Sequence, residues 1–315
     1  MKSAQIKRYG GSEVVEINQN TPALNDPSAG KVLVTVKAAG VNPADWKVRE
    51  GYFQQMTPLQ FPSTLGMDFS GTIEKVGEGV DGFKQGEEVY GDAAAIRGGS
   101  GAFAEMALTN EDSIAHKPKT LSYEEAAGLP LVGVSAWQAL VETMGLSGSQ
   151  KILIHGGAGG IGSIAIQLAM RLGTGTYTAT TVSTNDKEFV QELGANEAID
   201  YKTQTFEDIL HDYDAVFDTV GGETYTRSFK ILRKGGVIVS MLEQPNQELM
   251  HQFGVKATHQ FTKVNRERLT RLAQWLDQNN IHVNIDRTFP LDEAGKALDY
   301  QKDVHPRGKI VLRMQ

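Results

Sequence analysis

The run Lys151–Gly162, KILIHGGAGGIG, has the residue types and spacing to do chemistry. It holds G-x-G-x-x-G at Gly157, Gly159 and Gly162. An apolar run precedes it, and Ile161, Ile164, Ala165, Leu168 and Leu172 follow at helical spacing. A strand that turns through glycine into a helix offers free backbone N–H groups and a positive dipole end to an anion. Gly157 makes the tight turn, Gly159 lets the backbone approach a pyrophosphate, and Gly162 lets the helix pack on the strand. Gly157, Ala158, Gly159, Gly160, Ile161 and Gly162 are therefore the candidate dinucleotide-binding residues. The alternative is a turn that only closes a strand–helix unit.

A dinucleotide fold that prefers NAD has an acidic residue about twenty positions further on, for the ribose 2′-hydroxyl. Here Leu172–Asn185 contains no acidic residue and ends in TTVSTN. No carboxylate then repels a 2′-phosphate, and Ser183, Thr184 and Asn185 can donate hydrogen bonds to it. The expectation is NADPH; a strand end that is merely rich in hydroxyls is the alternative. The seven histidines are scattered and there are no cysteines. Disulfides, thiolate metal sites and cysteine nucleophiles are excluded together.

The elements that must position this turn alternate in texture. From Lys2 to about Lys117, short β-like runs such as KVLVTVKAA, SGTIEKVG and AFAEMAL are cut by Gly, Pro and Asp, which reads as an antiparallel sheet or small barrel. From about Leu121, apolar runs alternate with amphipathic stretches, which predicts a doubly wound parallel sheet. Asn265 is placed to N-cap a helix with Leu269, Leu272, Ala273 and Leu276 on one face. Strand texture returns in VNIDRTFP and GKIVLRM, with a short helix near Asp292–Tyr300 between them. The expected fold class is α/β: a β-rich domain over 1–121 and 281–315, and a parallel-sheet domain inserted at 122–280.

Composition limits the partners. Of 315 residues, 31 are basic and 38 acidic, a formal net charge of -7, which argues against a phosphate-backbone binder. No apolar run reaches the length of a membrane span. A small-molecule site in a cytoplasmic protein is expected, with no nucleic acid and no membrane partner.

With those runs in view the sequence resembles the medium-chain dehydrogenase/reductase superfamily, in its zinc-independent quinone oxidoreductase-like and enone reductase branch. The resemblance rests on GVNPADWK (40–47), LGMDFSGTIEKVGEGV (65–80), GEEVYG (86–91), AAGLPLVGVSAWQAL (126–140), HGGAGGIG (155–162), LGANEAIDY (193–201), DTVGG (218–222) and the terminal GKIVL, in that order. It implies a GroES-like β-rich domain plus a Rossmann domain, NADPH as cofactor, a quinone or α,β-unsaturated carbonyl as substrate, and a homodimer joined through the edge strand VKATHQFTKV. Zinc-dependent relatives carry metal ligands where this chain has Asn42, Met67 and Asp68, so the resemblance implies no metal.

The resemblance also names site residues. Asn42 and Asp45 match the quinone-reductase pattern, and Lys47 matches the enone- and alkenal-reductase pattern NPxDxK. Without zinc a carbonyl must be polarised by a hydrogen-bond donor or a cation. Lys47 is the first choice, with a solvated surface lysine as its alternative. Tyr52 is a phenol donor or a packing aromatic, and Asp45 orients the loop or pairs with Lys47. Ser135 matches a hydroxyl near the nicotinamide, though it would also suit a helix start. Tyr201 matches a position near the adenine ribose phosphate, and Lys187 compensates for Asn185, where relatives often carry a base. Trp46 reads as packing. The expected activity is an NADPH-dependent quinone or enone reductase. An enoyl-thioester reductase and a non-catalytic binding protein on the same scaffold are the alternatives.

Overall fold

The computed structural model describes residues 1–314. The chain divides into two compact units: Met1–Leu131 together with the stretch from Val264 onward, and Val132–Lys263. The alternation of textures in the sequence predicts an inserted domain at 122–280. The structure gives both ends of that span to the β-rich unit, for local reasons. Ser122 caps the helix Tyr123–Ala127, and the Tyr123 carbonyl accepts a hydrogen bond from Ser70. At the other end, the helix Arg266–Asn279 receives the buried Tyr90 hydroxyl on the Leu269 carbonyl at 2.7 Å. Asp277 in the same helix accepts from the Thr120 amide and hydroxyl at 3.1 and 3.0 Å.

That helix forms as its spacing predicts. Asn265 accepts from the Arg268 amide at 2.9 Å, a side-chain N-cap, and Leu269, Leu272, Ala273 and Leu276 form its buried face. The main sheet of the β-rich unit runs Ile285–Pro290, Lys309–Arg313, Lys31–Val41, Asp68–Val76, Glu88–Asp92, Ile114–His116, with Met106–Asn110 also paired to Lys31–Val41. Lys31–Val41 is nearly all buried. It holds Lys309–Arg313 antiparallel on one side, with Ile310 opposite Val41. A sequence separation of more than 260 residues is closed by that pairing, and it brings Lys309 beside Asn42.

The second unit is a six-stranded parallel sheet in the order Glu197–Asp200, Tyr177–Val182, Lys151–His155, Tyr213–Asp218, Leu232–Ser240, Lys256–His259. In chain order this is 3-2-1-4-5-6, the doubly wound arrangement in which ligands bind at the carboxyl ends of the central strands. The central strand Lys151–His155 is buried from Ile152 onward, and its Ile152, Leu153 and Ile154 are consecutive apolar residues because both sheet faces are covered. Among the described residues no helix is long and apolar enough to cross a membrane.

Candidate functional site

In the parallel-sheet unit the glycine turn follows Lys151–His155 and opens the helix Gly160–Leu172. Each glycine has a steric reason. A Cβ on Gly157 would stand 2.0 Å from Thr180 Oγ1, and one on Gly162 would stand 2.3 Å from the Gly156 carbonyl oxygen. A Cβ on Gly159 would meet only the Gly156 oxygen, at 3.4 Å, so this position opens outward. Gly159 is the N-cap and no side chain caps the helix, so its first N–H groups face the open side of the turn. Ala158, Gly159, Gly160 and Ile161 are half-buried around that opening. The turn therefore fits a dinucleotide pyrophosphate.

Side chains brace the turn from below. His155 is wholly buried, with Nδ1 3.0 Å from Thr181 Oγ1 and Nε2 2.8 Å from Ser228 Oγ. Burial pushes its pKa down to about 4, so the ring is neutral. The Thr219 hydroxyl donates to the His155 carbonyl, and the Asp218 carboxylate gathers the amides of Val220 and Gly221. The run DTVGG is thus a second turn lying beside the first. Nothing in the sequence alone gives that run a role.

At the end of the next strand the fold adds what chain order conceals. Ser183 Oγ bonds Asp186 at 2.5 Å, and Thr184 Oγ1 bonds Asp200. A hydroxyl has one proton, and ionised carboxylates only accept. Ser183 and Thr184 therefore give their protons to carboxylates and present lone pairs outward. The stretch Leu172–Asn185 contains no acid, yet Asp186 follows it directly and the pairing of parallel strands brings Asp200 to its end. The Thr184 hydroxyl, then the Lys202 amide, hold Asp200 below the usual carboxylate range, and the Lys187 charge adds to this. Asn185 and Tyr201 are exposed there and Lys187 is half-buried. Ser135 lies elsewhere: it is fully buried, with its hydroxyl 2.6 Å from that of Thr262 and its carbonyl accepting from Gln260.

In the β-rich unit the segment after Lys31–Val41 turns into the helix Pro43–Arg49. Asn42 is its N-cap, Pro43 opens it, and Asp45 accepts from the Asn42 amide at 2.7 Å in a capping box. Asp45 thus orients the loop. Lys47 and Tyr52 meet on Trp46: Lys47 Nζ lies 5.6 Å from that ring's centroid, and the Tyr52 ring stands edge-on at 5.7 Å. Lys302 Nζ is on the same ring at 5.1 Å. Tyr52 is 65% exposed and Lys47 half-buried, whereas Asn42 and Asp45 are interior. The four residues form an outer cation–phenol pair and an inner amide–carboxyl pair.

The inner pair belongs to a larger cluster, buried except for the exposed Arg97 at its edge. Asn42 Oδ1 accepts from Lys309 Nζ, and Asn42 Nδ2 donates to Asp68 at 2.8 Å. The same Asp68 oxygen accepts from the Leu131 amide at 3.0 Å. Lys309 Nζ also donates to the Val41 carbonyl at 2.7 Å. Arg97 pairs with Asp92 and reaches Met67 Sδ at 3.5 Å. Three carboxyl groups, Asp45, Asp68 and Asp92, face two cations, Lys309 and Arg97. Burial pushes the Asp45 pKa up to about 8 and that of Asp68 up to about 6, and it lowers that of Lys309. One proton on Asp45 makes the cluster neutral. Among the described residues Asp45 Oδ1 has no hydrogen-bond partner, and a cavity of about 10 Å³, lined also by Thr64 and Met67, adjoins that residue. Nothing in the sequence alone marks Arg97 and Asp92 as members of this cluster. The one available signal was a lysine opening the apolar run GKIVL.

The residues at the metal positions of zinc-dependent relatives do not fit zinc. A zinc site needs about four N, S or O donors free to converge. Here the Asn42 amide is turned to Lys309 and Asp68, and the Met67 sulfur to Arg97. Among the described residues no other group of histidine, aspartate and glutamate has the arrangement for a metal.

Comparison with known proteins gives a consistent picture. Residues 28–119 match the Alcohol dehydrogenase GroES-like domain family, and residues 193–312 match the Zinc-binding dehydrogenase family. The chain is 36% identical over 319 residues to a 2-methylene-furan-3-one reductase of Solanum lycopersicum, covering 99% of this chain and 79% of that protein. It is 33% identical over 321 residues to an NADPH-dependent alkenal/one oxidoreductase, chloroplastic, of Arabidopsis thaliana, with the same coverages. The quinone oxidoreductase structure from Coxiella burnetii superposes with a TM-score of 0.88 at 32% identity, over 100% of this chain and 99% of that one.

Proposed function

The chain belongs to the medium-chain dehydrogenase/reductase superfamily, in its quinone oxidoreductase-like branch, and from that premise we propose that it is a zinc-independent, NADPH-dependent reductase of quinones or α,β-unsaturated carbonyls. The observation that carries this reading is the open turn at Gly159 beneath an uncapped helix N-terminus, in a family whose members here are named as reductases of enones, alkenals and quinones.

The residues of the turn, 157–162, would hold the pyrophosphate on backbone N–H groups. Lys187, Asn185 and Tyr201 would face the adenine ribose 2′-phosphate, with the hydroxyls of Ser183 and Thr184 set as acceptors behind them. When bound, NADPH supplies hydride to the electrophilic carbon of the conjugated substrate. Negative charge then develops on the substrate oxygen, and the chain's task is to meet it with a donor. Lys47 and Tyr52 suit that task, since Trp46 holds both and both remain at or near the surface. Ser135 is committed to Thr262 and supports the nicotinamide end only indirectly in this reading. We also propose a cytoplasmic homodimer. The absence of cysteine fits a reducing compartment. The strand Lys256–His259 ends the sheet, and Phe261 beside it is 71% exposed.

The test is NADPH oxidation with a quinone, a 2-alkenal, a cyclic enone and an enoyl thioester, beside fluorescence titration of NADPH. Turnover of the first three but not the thioester supports the reading. Turnover of the thioester alone would transfer the activity to enoyl-thioester reduction. NADPH binding without any turnover would leave a binding protein.

A further inference from the structure

We propose that Lys309 is a positioning residue: from the strand Lys309–Arg313 it fixes the turn at Val41–Asn42 that launches the helix carrying Lys47. The inference rests on the reading that Lys47 serves the reaction, and it goes beyond it by assigning a residue outside the segment that touches substrate.

The geometry is specific. Lys309 is 3% exposed and its ammonium makes two bonds, to the Val41 carbonyl at 2.7 Å and to Asn42 Oδ1. The carbonyl is the last of the strand and the amide is the helix N-cap, so one cation grips both sides of the junction. The second end of the Asn42 amide is tied to Asp68, and Asp68 in turn to the Leu131 amide. Asn42 therefore cannot rotate without breaking a bond to a charged group at each end. Its backbone amide is held separately by Asp45. The junction is pinned through its amide, its carbonyl and its side chain, and the helix that starts there is only seven residues long. A small rotation at its first residue moves Lys47 bodily, and misplacement by about 1 Å costs on the order of a hundredfold in rate.

A purely structural lysine would act differently. The strand Lys309–Arg313 is already fixed by pairing on both sides, with Ile285–Pro290 and with Lys31–Val41. Its register does not need a buried cation. What the ammonium adds is an orientation for Asn42 and a counter-charge for Asp68. These two contributions separate by mutation.

The experiment compares Lys309→Met with the double variant Lys309→Met/Asp68→Asn in the full chain. Readouts are thermal melting, NADPH affinity by fluorescence, turnover on the best substrate of the panel, and amide hydrogen exchange. Lys309→Met should lower kcat by roughly a hundredfold. NADPH affinity should stay within a few fold, and exchange should quicken at least about tenfold at Asn42–Lys47 but not in the six-stranded sheet. The double variant buries no uncompensated carboxylate, so it should regain melting temperature while kcat and protection stay low. If Lys309→Met does not fold, the double variant alone carries the comparison. Recovery of kcat and protection in the double variant would show that Lys309 only balances charge, and the proposal would be overturned. Full turnover and protection in Lys309→Met would overturn it as well. Should the wild-type chain reduce nothing in the panel, the reductase reading fails, and the exchange pattern still decides whether Lys309 fixes the junction.

Discussion

The glycine turn of the parallel-sheet unit and the Asn42 junction of the β-rich unit solve the same problem by opposite means. Both hold polar groups in fixed directions at the end of a buried strand. The turn does it with backbone alone: its donors are N–H groups, and the side chains that matter are the ones glycine lacks. The junction does it with side chains drawn from distant segments, an amide held between Lys309 and Asp68. Backbone donors carry no ionisable proton and cannot be removed by truncation, only blocked by added atoms. A side-chain cluster is sensitive to single deletions and to pH.

The largest expected effect tests the first half of that contrast. Gly162→Val places atoms against the Gly156 carbonyl, where even a Cβ stands at 2.3 Å. NADPH binding should fall at least a hundredfold, measured by fluorescence titration, whereas Ile161→Ala should change it only a few fold. Comparable losses in the two variants would mean that side chains, not backbone, build the cradle.

Next in size is a deletion in the side-chain region. Removing a donor aimed at developing negative charge typically costs about 2.7–4 kcal/mol. Lys47→Ala should therefore lower kcat by roughly a hundred- to a thousandfold with NADPH affinity held within a few fold. Tyr52→Phe should do the same only if its hydroxyl, and not its ring on Trp46, serves the reaction. Near-normal turnover of Lys47→Ala on every accepted substrate would make it a surface lysine.

The two regions should also answer pH with opposite signs. The Asp45 pKa rises from 3.8 to about 8 on folding, so the folded chain holds the extra proton in that window. Its contribution to stability is fully present below the unfolded pKa and is lost as pH rises through about 8. His155 goes from 6.5 down to about 4, and the unfolded chain holds the extra proton there. That contribution is present above pH 6.5 and is lost as pH falls toward 4. Each pH unit inside a window is worth up to about 1.4 kcal/mol. Urea unfolding should show Asp45→Asn gaining on the wild type as pH rises from 5 to 8.5. His155→Gln should gain on it as pH falls from 6.5 to 4.5. Parallel pH curves for wild type and Asp45→Asn would show that Asp45 is ionised in the fold.

The smallest expected effect is at the strand end where the hydroxyls are already engaged. Lys187→Ala should weaken NADPH by about tenfold, the loss of one hydrogen bond to a charged group, and leave NADH unchanged. Equal weakening of both dinucleotides would mean that Lys187 does not read the phosphate.

The same contrast explains what the sequence made legible. The glycine turn, its strand and its helix lie within about twenty consecutive residues, and periodicity marks each of them. The Asn265 cap and its buried leucine face were equally local. The domain limits were not: nothing near Asp277 shows that its partner is Thr120, 157 positions away. Asp92, Arg97 and Lys309 each read in the sequence as an ordinary charge, and nothing there brings them to Asp45 and Asp68. Likewise the acid-free stretch before Asn185 concealed Asp200, which only the pairing of parallel strands brings across.

The β-rich unit is discontinuous in the chain, and that imposes an order on synthesis. All six strands of the parallel sheet lie between Lys151 and His259, so that unit can close while later residues are still being added. Asn42 must wait for a partner 267 positions downstream. At about 5–20 residues per second, that is roughly 13–50 s during which Asp45 and Asp68 have no Lys309 to bury against. Those carboxylates stay in water until the strand Lys309–Arg313 emerges and seals the junction, so Asn42 is made before the parallel sheet and fixed in place after it.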